Sequence, residues 1–297
     1  MVPKEAKAWA QNHLDRPIAS ITPVSGGRTG TVYNVRFSSG DPVLLRYQSK
    51  EDWGERGRQH IAAESAAAQL LVGSPLPVPR LIASDPTGAE TGGYANLTTW
   101  LPGHARLDRL SPVAIDELAH AAAVLHATVV APDARPRRFE FWVPPRPVVP
   151  VWAGNPELWR RALEIYAGYL PDTPSGLVHR DFHPGNVLWV GDNITGIIDW
   201  AETSWGPADL DVVHSRTNFA VLHSVDQAYE FSAAYARHGG RIDPDPEAQR
   251  FWAVSDILGF LPDPQPVLRA LTVIRPELTA DVLRDRLEQF LGHTLQS

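Results

Sequence analysis

Residues 177 to 200 of this 297-residue chain read LVHRDFHPGNVLWVGDNITGIIDW and hold most of its candidate chemistry: His179, Asp181, His183, Asn186 and Asp199. Val187 to Val190 and Thr195 to Ile198 are β-prone and flank Gly191-Asp192-Asn193, which reads as a hairpin. With the turn centred between Asp192 and Asn193, Asn186 and Asp199 stand opposite each other, and such partners have Cβ atoms roughly 5 Å apart. An amide oxygen and a carboxylate converging there suit Mg²⁺, which keeps several waters and is often completed by substrate phosphates. A slip of register by one residue would undo this pairing. Asp181 lies on the loop that enters the hairpin. A carboxylate beside a divalent cation stays ionised, so it can accept the proton of an attacking hydroxyl.

The same side chains have other readings. Asp and Asn favour turns for local reasons, and His179 suits a hydrogen-bonded structural role better than a catalytic one. His179, Asp181, His183 and Asp199 could also bind zinc in a metallohydrolase, but the Pro184-Gly185-Asn186 continuation has no explanation under that reading. A non-catalytic nucleotide-binding module is a third alternative.

Composition narrows the field. The absence of cysteine removes disulfides, thiolate zinc sites and cysteine nucleophiles. A net charge of −7, from 27 basic and 34 acidic residues, is a poor match to nucleic-acid binding. It fits simple solubility or a cationic substrate. The N-terminal MVPKEAKAWAQNHLD has no apolar signal region, and no run is long and apolar enough to span a membrane, so a cytoplasmic protein is expected. Nothing in the sequence calls for an obligate protein partner.

The elements that must position these groups follow from pattern. A short helix is expected over residues 4 to 14, then strands at 18 to 24, 31 to 37 and 42 to 47. The Ala-rich stretch from Glu55 to Val72 reads as a helix. Strands at 80 to 84 and 94 to 99, around a turn at Asp85 to Gly93, complete a five-stranded sheet with one helix. After Trp100-Leu101-Pro102-Gly103 the chain becomes mostly helical. Ser111-Pro112, Asn155-Pro156 and Ser224 mark helix starts, Gly239-Gly240 a helix end, and further helices are expected near 246 to 260 and 279 to 291. The proline-dense stretch from Pro132 to Pro150 reads as an extended loop, either a substrate lid or a stiff connector. Trp142, Trp152, Trp159, Trp205 and Trp252 fall in the helical half, where core packing is the default and stacking on a substrate the alternative.

HRDFHPGN, with His179, Asp181 and Asn186 in HxDxxxxN spacing, followed by IIDW with Asp199, resembles the aminoglycoside phosphotransferase-like family of small-molecule kinases. The resemblance implies an α+β, bilobal protein-kinase-like fold, with a nucleotide-binding lobe at residues 1–100 and a helical catalytic and substrate-binding lobe at 101–297. It implies Asp181 as base, Asn186 and Asp199 as Mg²⁺ ligands, and His179 as a structural residue of the catalytic loop. By the match of GPADLD to the family's Gly-x-x-x-Asp-Leu segment, Asp209 would hydrogen-bond that loop. Upstream, PVLLRYQ places Arg46 where the family carries its phosphate-contacting Lys, and AAES places the paired Glu64 on the following helix. Ser25, Gly26 and Gly27 of SGGRTGTVY match the phosphate-covering loop, and Thr99, Trp100 and Leu101 the hinge that meets adenine. Arg180 stands where Gly is common, and Trp200-Ala201 follows Asp199 in place of Phe-Gly, which favours a small-molecule kinase over a protein kinase. The expected reaction is γ-phosphate transfer from ATP, with GTP left open, to a hydroxyl of an aminoglycoside-like molecule, macrolide, amino alcohol or sugar. His183, Glu202, Trp205 and Asp256 are the candidate substrate contacts. Glu202, Asp211 and Asp256 could line a pocket for a cationic ligand, and each also reads as a solvated or capping carboxylate.

Overall fold

The computed structural model describes residues 2–24, 30–264 and 275–296. The chain divides into two compact units that are not consecutive halves. The first comprises Met1–His104, Val187–Val190 and Thr195–Thr203, and the second comprises Ala105–Asn186, Gly191–Ile194 and Ser204–Ser297.

In the first unit, α1 (Lys4–Asn12) precedes β1 (Ile18–Val24), β2 (Thr31–Phe37) and β3 (Val43–Gln48), and α2 (Lys50–Leu70) leads to β4 (Leu81–Asp85) and β5 (Tyr94–Thr99). The strands form one antiparallel sheet in the order β1-β2-β3-β5-β4. Successive side chains of a strand point to opposite faces, and this divides the sheet chemically. Tyr33, Val35, Val43, Leu45, Ala95 and Leu97 pack with Trp9 and Ala10 of α1. The alternate positions Arg46 and Asn96, paired across β3 and β5, belong to the other face. There Asn96 donates to the carbonyl of Ile61 at 3.0 Å and to Glu64 at 2.8 Å, both on α2. Ser49 caps α2 by accepting from the Asp52 amide. The helix breaks at Gly54 (φ 48°), which is why the sequence pattern becomes regular only from Glu55.

β6 (His104–Ala105) follows, and then α3 (Pro112–His126), α4 (Pro156–Gly168), β7 (Ser175–Val178), β8 (Val187–Val190), β9 (Asn193–Ile197), β10 (Ser204–Pro207), α5 (Asp209–Leu222), α6 (Val225–Arg237), α7 (Pro246–Leu258) and α8 (Ala280–Gln296). Ser111, Asn155 and Ser224 cap α3, α4 and α6 as their sequence contexts predict. Two features of the second unit are new. β7 and β10 pair antiparallel, Val178 against Ser204, and α5 is buried along its whole length and packs against α6, α7 and α8. A helix buried on every side has no amphipathic stripe to betray it. The proline-dense stretch is anchored at its middle, with Pro132 to Arg135 exposed. The Phe139 amide donates to the Trp205 carbonyl at 3.2 Å, and Phe141 stacks on Trp252 at 6.0 Å. Among the described residues no helix is long and apolar enough to cross a membrane.

The turn joining β4 to β5 is organised by a single carboxylate. Asp85, 4% exposed, accepts from the amides of Ala89, Glu90 and Thr91 at 2.9–3.1 Å and from the Thr91 hydroxyl at 3.0 Å. Burial alone would raise its pKa, but these donors outweigh it and hold the carboxyl below its ordinary 3.8. Asp85→Ala leaves several amides without an acceptor and is expected to cost roughly 3 kcal/mol, at about 1–3 kcal/mol per orphaned buried group. The stabilisation belongs to the ionised form. It is therefore present above pH 3.8, is lost as pH falls through the lowered folded value, and is missing from the variant throughout. Denaturant unfolding of both proteins from pH 2 to 7 checks this.

Candidate active site

In the first unit, strand alternation places Arg46 on the polar face of β3, and its guanidinium joins two carboxylates. Nε lies 2.9 Å from Glu64 Oε1, and a terminal nitrogen lies 3.3 Å from Asp199 Oδ1. All three side chains are largely enclosed, at 7%, 11% and 17% exposure. Burial opposes the charge on Arg46, but Glu64 and Asp199 outweigh it and raise its pKa. Asp199 has a left-handed backbone (φ 64°) and opens the short turn Trp200–Glu202.

The hairpin differs from expectation. β8 ends at Val190 and β9 begins at Asn193, so the turn is Gly191-Asp192, one residue earlier than assumed, and Gly191 supplies its positive φ of 62°. The ladder also stops at Ile197. Asp199 therefore lies beyond the paired strands, and the cross-strand argument for placing it opposite Asn186 does not hold. Glu202 is corrected as well. Expected to contact a substrate, it instead lies 3.3 Å from the Arg56 guanidinium and 3.1 Å from His60 Nε2, one turn apart on α2. Thr99 anchors the end of β5 through its amide and hydroxyl, each 2.9 Å from the backbone of Arg80. Thr99, Trp100 and Leu101 line a cavity of about 580 Å³ with His13, Arg16 and Asp41; Arg46, Glu64 and Asp199 are not among its walls. Ser25, Gly26 and Gly27 lie outside the described residues.

The second unit holds the loop that carries Asp181. Asp211, fully buried, accepts the His179 amide on Oδ2 at 2.7 Å and the Arg180 amide on Oδ1 at 2.6 Å. Its Oδ2 also lies 3.1 Å from His126 Nε2, and His126 is held in turn by the Tyr235 hydroxyl. Burial pushes the Asp211 carboxyl up, but the His126 bond and charge prevail and lower it. The expectation that Asp209 holds the loop is thus wrong by two residues, as is the reading of Asp211 as a solvated carboxylate. Positions two apart on a helix differ by about 200°, so Asp209 faces away. It accepts the Asp243 amide on both oxygens, at 3.1 and 3.2 Å, and burial pushes it up to about 6.

His179 is fully buried, and its Nδ1 accepts from the Asp181 amide at 3.3 Å. Arg180 holds a positive φ of 77°, donates to the Glu140 carbonyl at 2.8 Å, and lays its guanidinium 4.1 Å over Trp142. Asp181 keeps 31% of its side chain exposed. Its Oδ1 lies 3.0 Å from His214 Nε2 and 3.6 Å from His183 Nε2, and its Oδ2 accepts from Asn186 Nδ2 at 2.9 Å. Burial would raise its pKa, but the His214 hydrogen bond and the charges of His183, His214 and His179 hold it well below the usual carboxylate range. The Asn186 amide nitrogen also donates to the Asp181 carbonyl at 2.9 Å. Only the NH₂ can donate, so Oδ1 of Asn186 is turned the other way, which suits an oxygen ligand for Mg²⁺.

His214 escaped the sequence reading, and Asp256 was misread. The expected substrate contact at Asp256 is not available: its side chain is 3% exposed, with Oδ1 3.0 Å from His214 Nδ1. Burial disfavours charge on His214, but Asp256 and Asp181 push it up to about 10. The available signal was a histidine inside DLDVVHSRTNFAVL, a segment too rich in polar groups for an ordinary core helix. Trp205 is partly buried on β10 under the Arg135 guanidinium, 4.6 Å from its ring. Asp181, His183 and His214 have ligand atoms within 4.8 Å of one another, but the donor chemistry is wrong for zinc. His183 Nδ1 accepts from the Gly185 amide at 3.1 Å, which puts its proton on the Nε2 that faces Asp181. Both His214 nitrogens already face carboxylates at 3.0 Å, and His179 Nδ1 is taken by its own loop.

The two α5 carboxylates give opposite expectations. Asp211→Ala orphans two buried amides, costs about 3 kcal/mol and speeds hydrogen exchange at His179 and Arg180. Asp209→Asn leaves that exchange unchanged. Asp209 is an acid whose folded pKa is raised, so its ionisation destabilises the protein progressively as pH rises from 3.8 to about 6; the Asn variant lacks that decline in pH-dependent unfolding.

Residues 20–252 match the model of the phosphotransferase enzyme family. No curated protein matches the chain. Among solved structures, spectinomycin phosphotransferase APH(9)-Ia in complex with ADP and spectinomycin is 14% identical with a TM-score of 0.66, the match covering 100% of this chain and 99% of that one. Macrolide 2′-phosphotransferase MphH from Brachybacterium faecium is 18% identical with a TM-score of 0.59, covering 97% of both chains. Amicoumacin kinase hAmiN, in complex with AMP-PNP, Ca²⁺ and amicoumacin, is 14% identical with a TM-score of 0.63, covering 98% and 94%. At such identities the structures speak for the fold, and the family model, which spans most of the sequence, speaks for descent. The chain belongs to the phosphotransferase enzyme family and has a protein-kinase-like fold.

Proposed function

We propose that this protein transfers the γ-phosphate of ATP to a hydroxyl of a small molecule, with Asp181 as the base. The observation that carries this reading is the state of Asp181: an ionised, partly exposed carboxylate whose two oxygens are oriented by different donors. Arg46, fixed by Glu64, directs a permanent positive charge toward the phosphates, and as a rigid fork it serves where a Lys would act as a point charge. Asn186 and Asp199 are the residues assigned to Mg²⁺, which when bound supplies positive charge against the phosphate oxygens. Asp181 orients the acceptor hydroxyl and receives its proton. The complexes of the spectinomycin phosphotransferase with ADP and of the amicoumacin kinase with AMP-PNP support the nucleotide assignment. His183, beside Asp181, and Trp205 stay as candidate acceptor contacts. Glu202 and Asp256 are engaged by protein cations, so the grounds for expecting a cationic acceptor weaken.

A coupled ADP-release screen over hydroxylated metabolites and antibiotics tests the reaction. Asp181→Asn is expected to fold normally and to lose at least about 100-fold in turnover, the lower end of general-base contributions; undiminished turnover in the folded variant would remove the assignment. Arg46→Lys is expected to raise the KM for ATP about tenfold while keeping the fold, because one ammonium cannot meet both Glu64 and Asp199 in the geometry of the fork. Initial rates against ATP concentration read this directly.

A further inference from the structure

Behind the candidate base lies a buried chain of three groups: Asp181 Oδ1, the His214 ring and Asp256 Oδ1, each link 3.0 Å long. The outer carboxylate is 31% exposed and the inner one 3%. We propose that His214, held by Asp256, is a positioning residue for phosphoryl transfer that fixes the Asp181 carboxylate so that Oδ2 receives the acceptor proton. This deepens, and rests on, the reading of Asp181 as base.

The argument is geometric. Oδ1 of Asp181 faces two ring nitrogens, His214 at 3.0 Å and His183 at 3.6 Å, whereas Oδ2 has the neutral amide of Asn186 at 2.9 Å. The donors on Oδ1 occupy that oxygen and leave Oδ2, which meets only a neutral amide, with a lone pair to spare as the acceptor. His214 cannot swing away. Its Nδ1 is fixed by Asp256 on α7, its ring meets Trp142 edge to face at 5.1 Å, and Asn218 Nδ2, one turn later on α5, lies 3.1 Å from Nε2 and donates to the His214 backbone carbonyl at 2.9 Å. The charged or titratable groups around it are Asp181 and His183 from the loop and Asp256 from α7. An imidazolium between the two carboxylates leaves the trio with one net negative charge, and its pushed-up pKa agrees.

The chemistry balances without moving either His214 proton. The acceptor oxygen forms a bond to the γ-phosphorus, the bond to the bridging oxygen breaks, ADP leaves with that electron pair, and the hydroxyl proton passes to Oδ2 of Asp181. His214 touches no reacting atom and acts through Asp181 alone.

The test measures kcat and the KM for ATP by ADP release, in the presence of Mg²⁺, with water as acceptor and with any alcohol found to be phosphorylated. His214→Ala is expected to lose about 100-fold in kcat, as expected for a misplaced reacting group, with the KM for ATP unchanged. His214→Gln can still donate to Oδ1 and is expected to recover to within about tenfold of wild type. Asp256→Asn keeps an acceptor for Nδ1 but drops the charge, and is expected to lose about tenfold; it serves as the reporter if the Ala variant fails to fold. Nitrogen NMR of ¹⁵N-histidine-labelled protein at pH 8.5 adds a readout that does not need turnover: one imidazolium, absent from His214→Gln. A neutral His214, or variants that lose only thermal stability while kcat per folded molecule stays at the wild-type value, would overturn the proposal. If wild-type protein releases no more ADP than Asp181→Asn, the phosphoryl-transfer reading falls and takes the positioning role with it. A failure of positioning alone looks different, with wild type and His214→Ala turning over equally.

Discussion

A loop that presents a catalytic carboxylate has no ladder of its own to satisfy its amides, and buried amides without partners are costly. Here the constraint falls on His179 and Arg180, whose amides both end on the fully buried Asp211. Two adjacent N–H groups can reach the two oxygens of one carboxylate only if the backbone between them turns sharply, and Arg180 accordingly takes a φ of 77°. Such a conformation in a residue other than glycine costs about 1–3 kcal/mol and persists where its surroundings over-determine it. The Glu140 carbonyl and the Trp142 face, which hold the Arg180 side chain, supply that. The same face of α5 continues the work. Asp211, His214, Ser215 and Asn218 follow at helical spacing and meet, in turn, the loop backbone, the Asp181 side chain, the Phe182 carbonyl and His214 itself. One buried helix is thus a template for the whole loop, and this explains why it carries Asp, His, Ser and Asn where core helices carry Leu.

The first unit solves the matching problem for a cation. An arginine enclosed to 7% exposure is tolerable only if paired, and Glu64 and Asp199 meet it from different elements. Glu64 is held by Asn96 on the neighbouring strand, so the strand pairing of β3 with β5 and the packing of α2 on that sheet act together on a single carboxylate. Breaking one member would leave a buried charge alone, which ties the stability of the sheet face to the integrity of the candidate phosphate contact.

What the sequence made legible was whatever depends on near neighbours. The caps at Ser111, Asn155 and Ser224 follow from residues a few positions apart and β2 and β3 from local β-propensity, whereas the pairing of Arg46 with Glu64 came through the resemblance to the family. What stayed hidden depends on which surface of an element is buried. Nothing local distinguishes Asp209 from Asp211, since both suit the first turn of a helix, and only the packing of α5 turns one of them to the loop. Glu202 and Asp256 look like free carboxylates until α2 and α5 bring Arg56, His60 and His214 against them. The hairpin was recognised, but its turn was misplaced by one residue, because Gly191-Asp192 and Asp192-Asn193 are both competent turn pairs.

The surroundings of Asp181 carry a chemical consequence. Cationic neighbours hold it below the usual carboxylate range, which makes it a weak base toward an alcohol in the ground state. In phosphoryl transfer through a loose transition state that is a small handicap, because bond formation to phosphorus is late and the acceptor oxygen becomes acidic only as it acquires that bond. A base that waits for the proton needs accurate placement more than strength. Exchanging basicity for a fixed carboxylate is therefore a favourable trade in this reaction, and would be a poor one in an enzyme that must remove a proton before any other bond changes. The arrangement of Asp256, His214 and Asp181 thus fits the chemistry of the family to which the chain belongs, and fits a proton-abstracting hydrolase much less well.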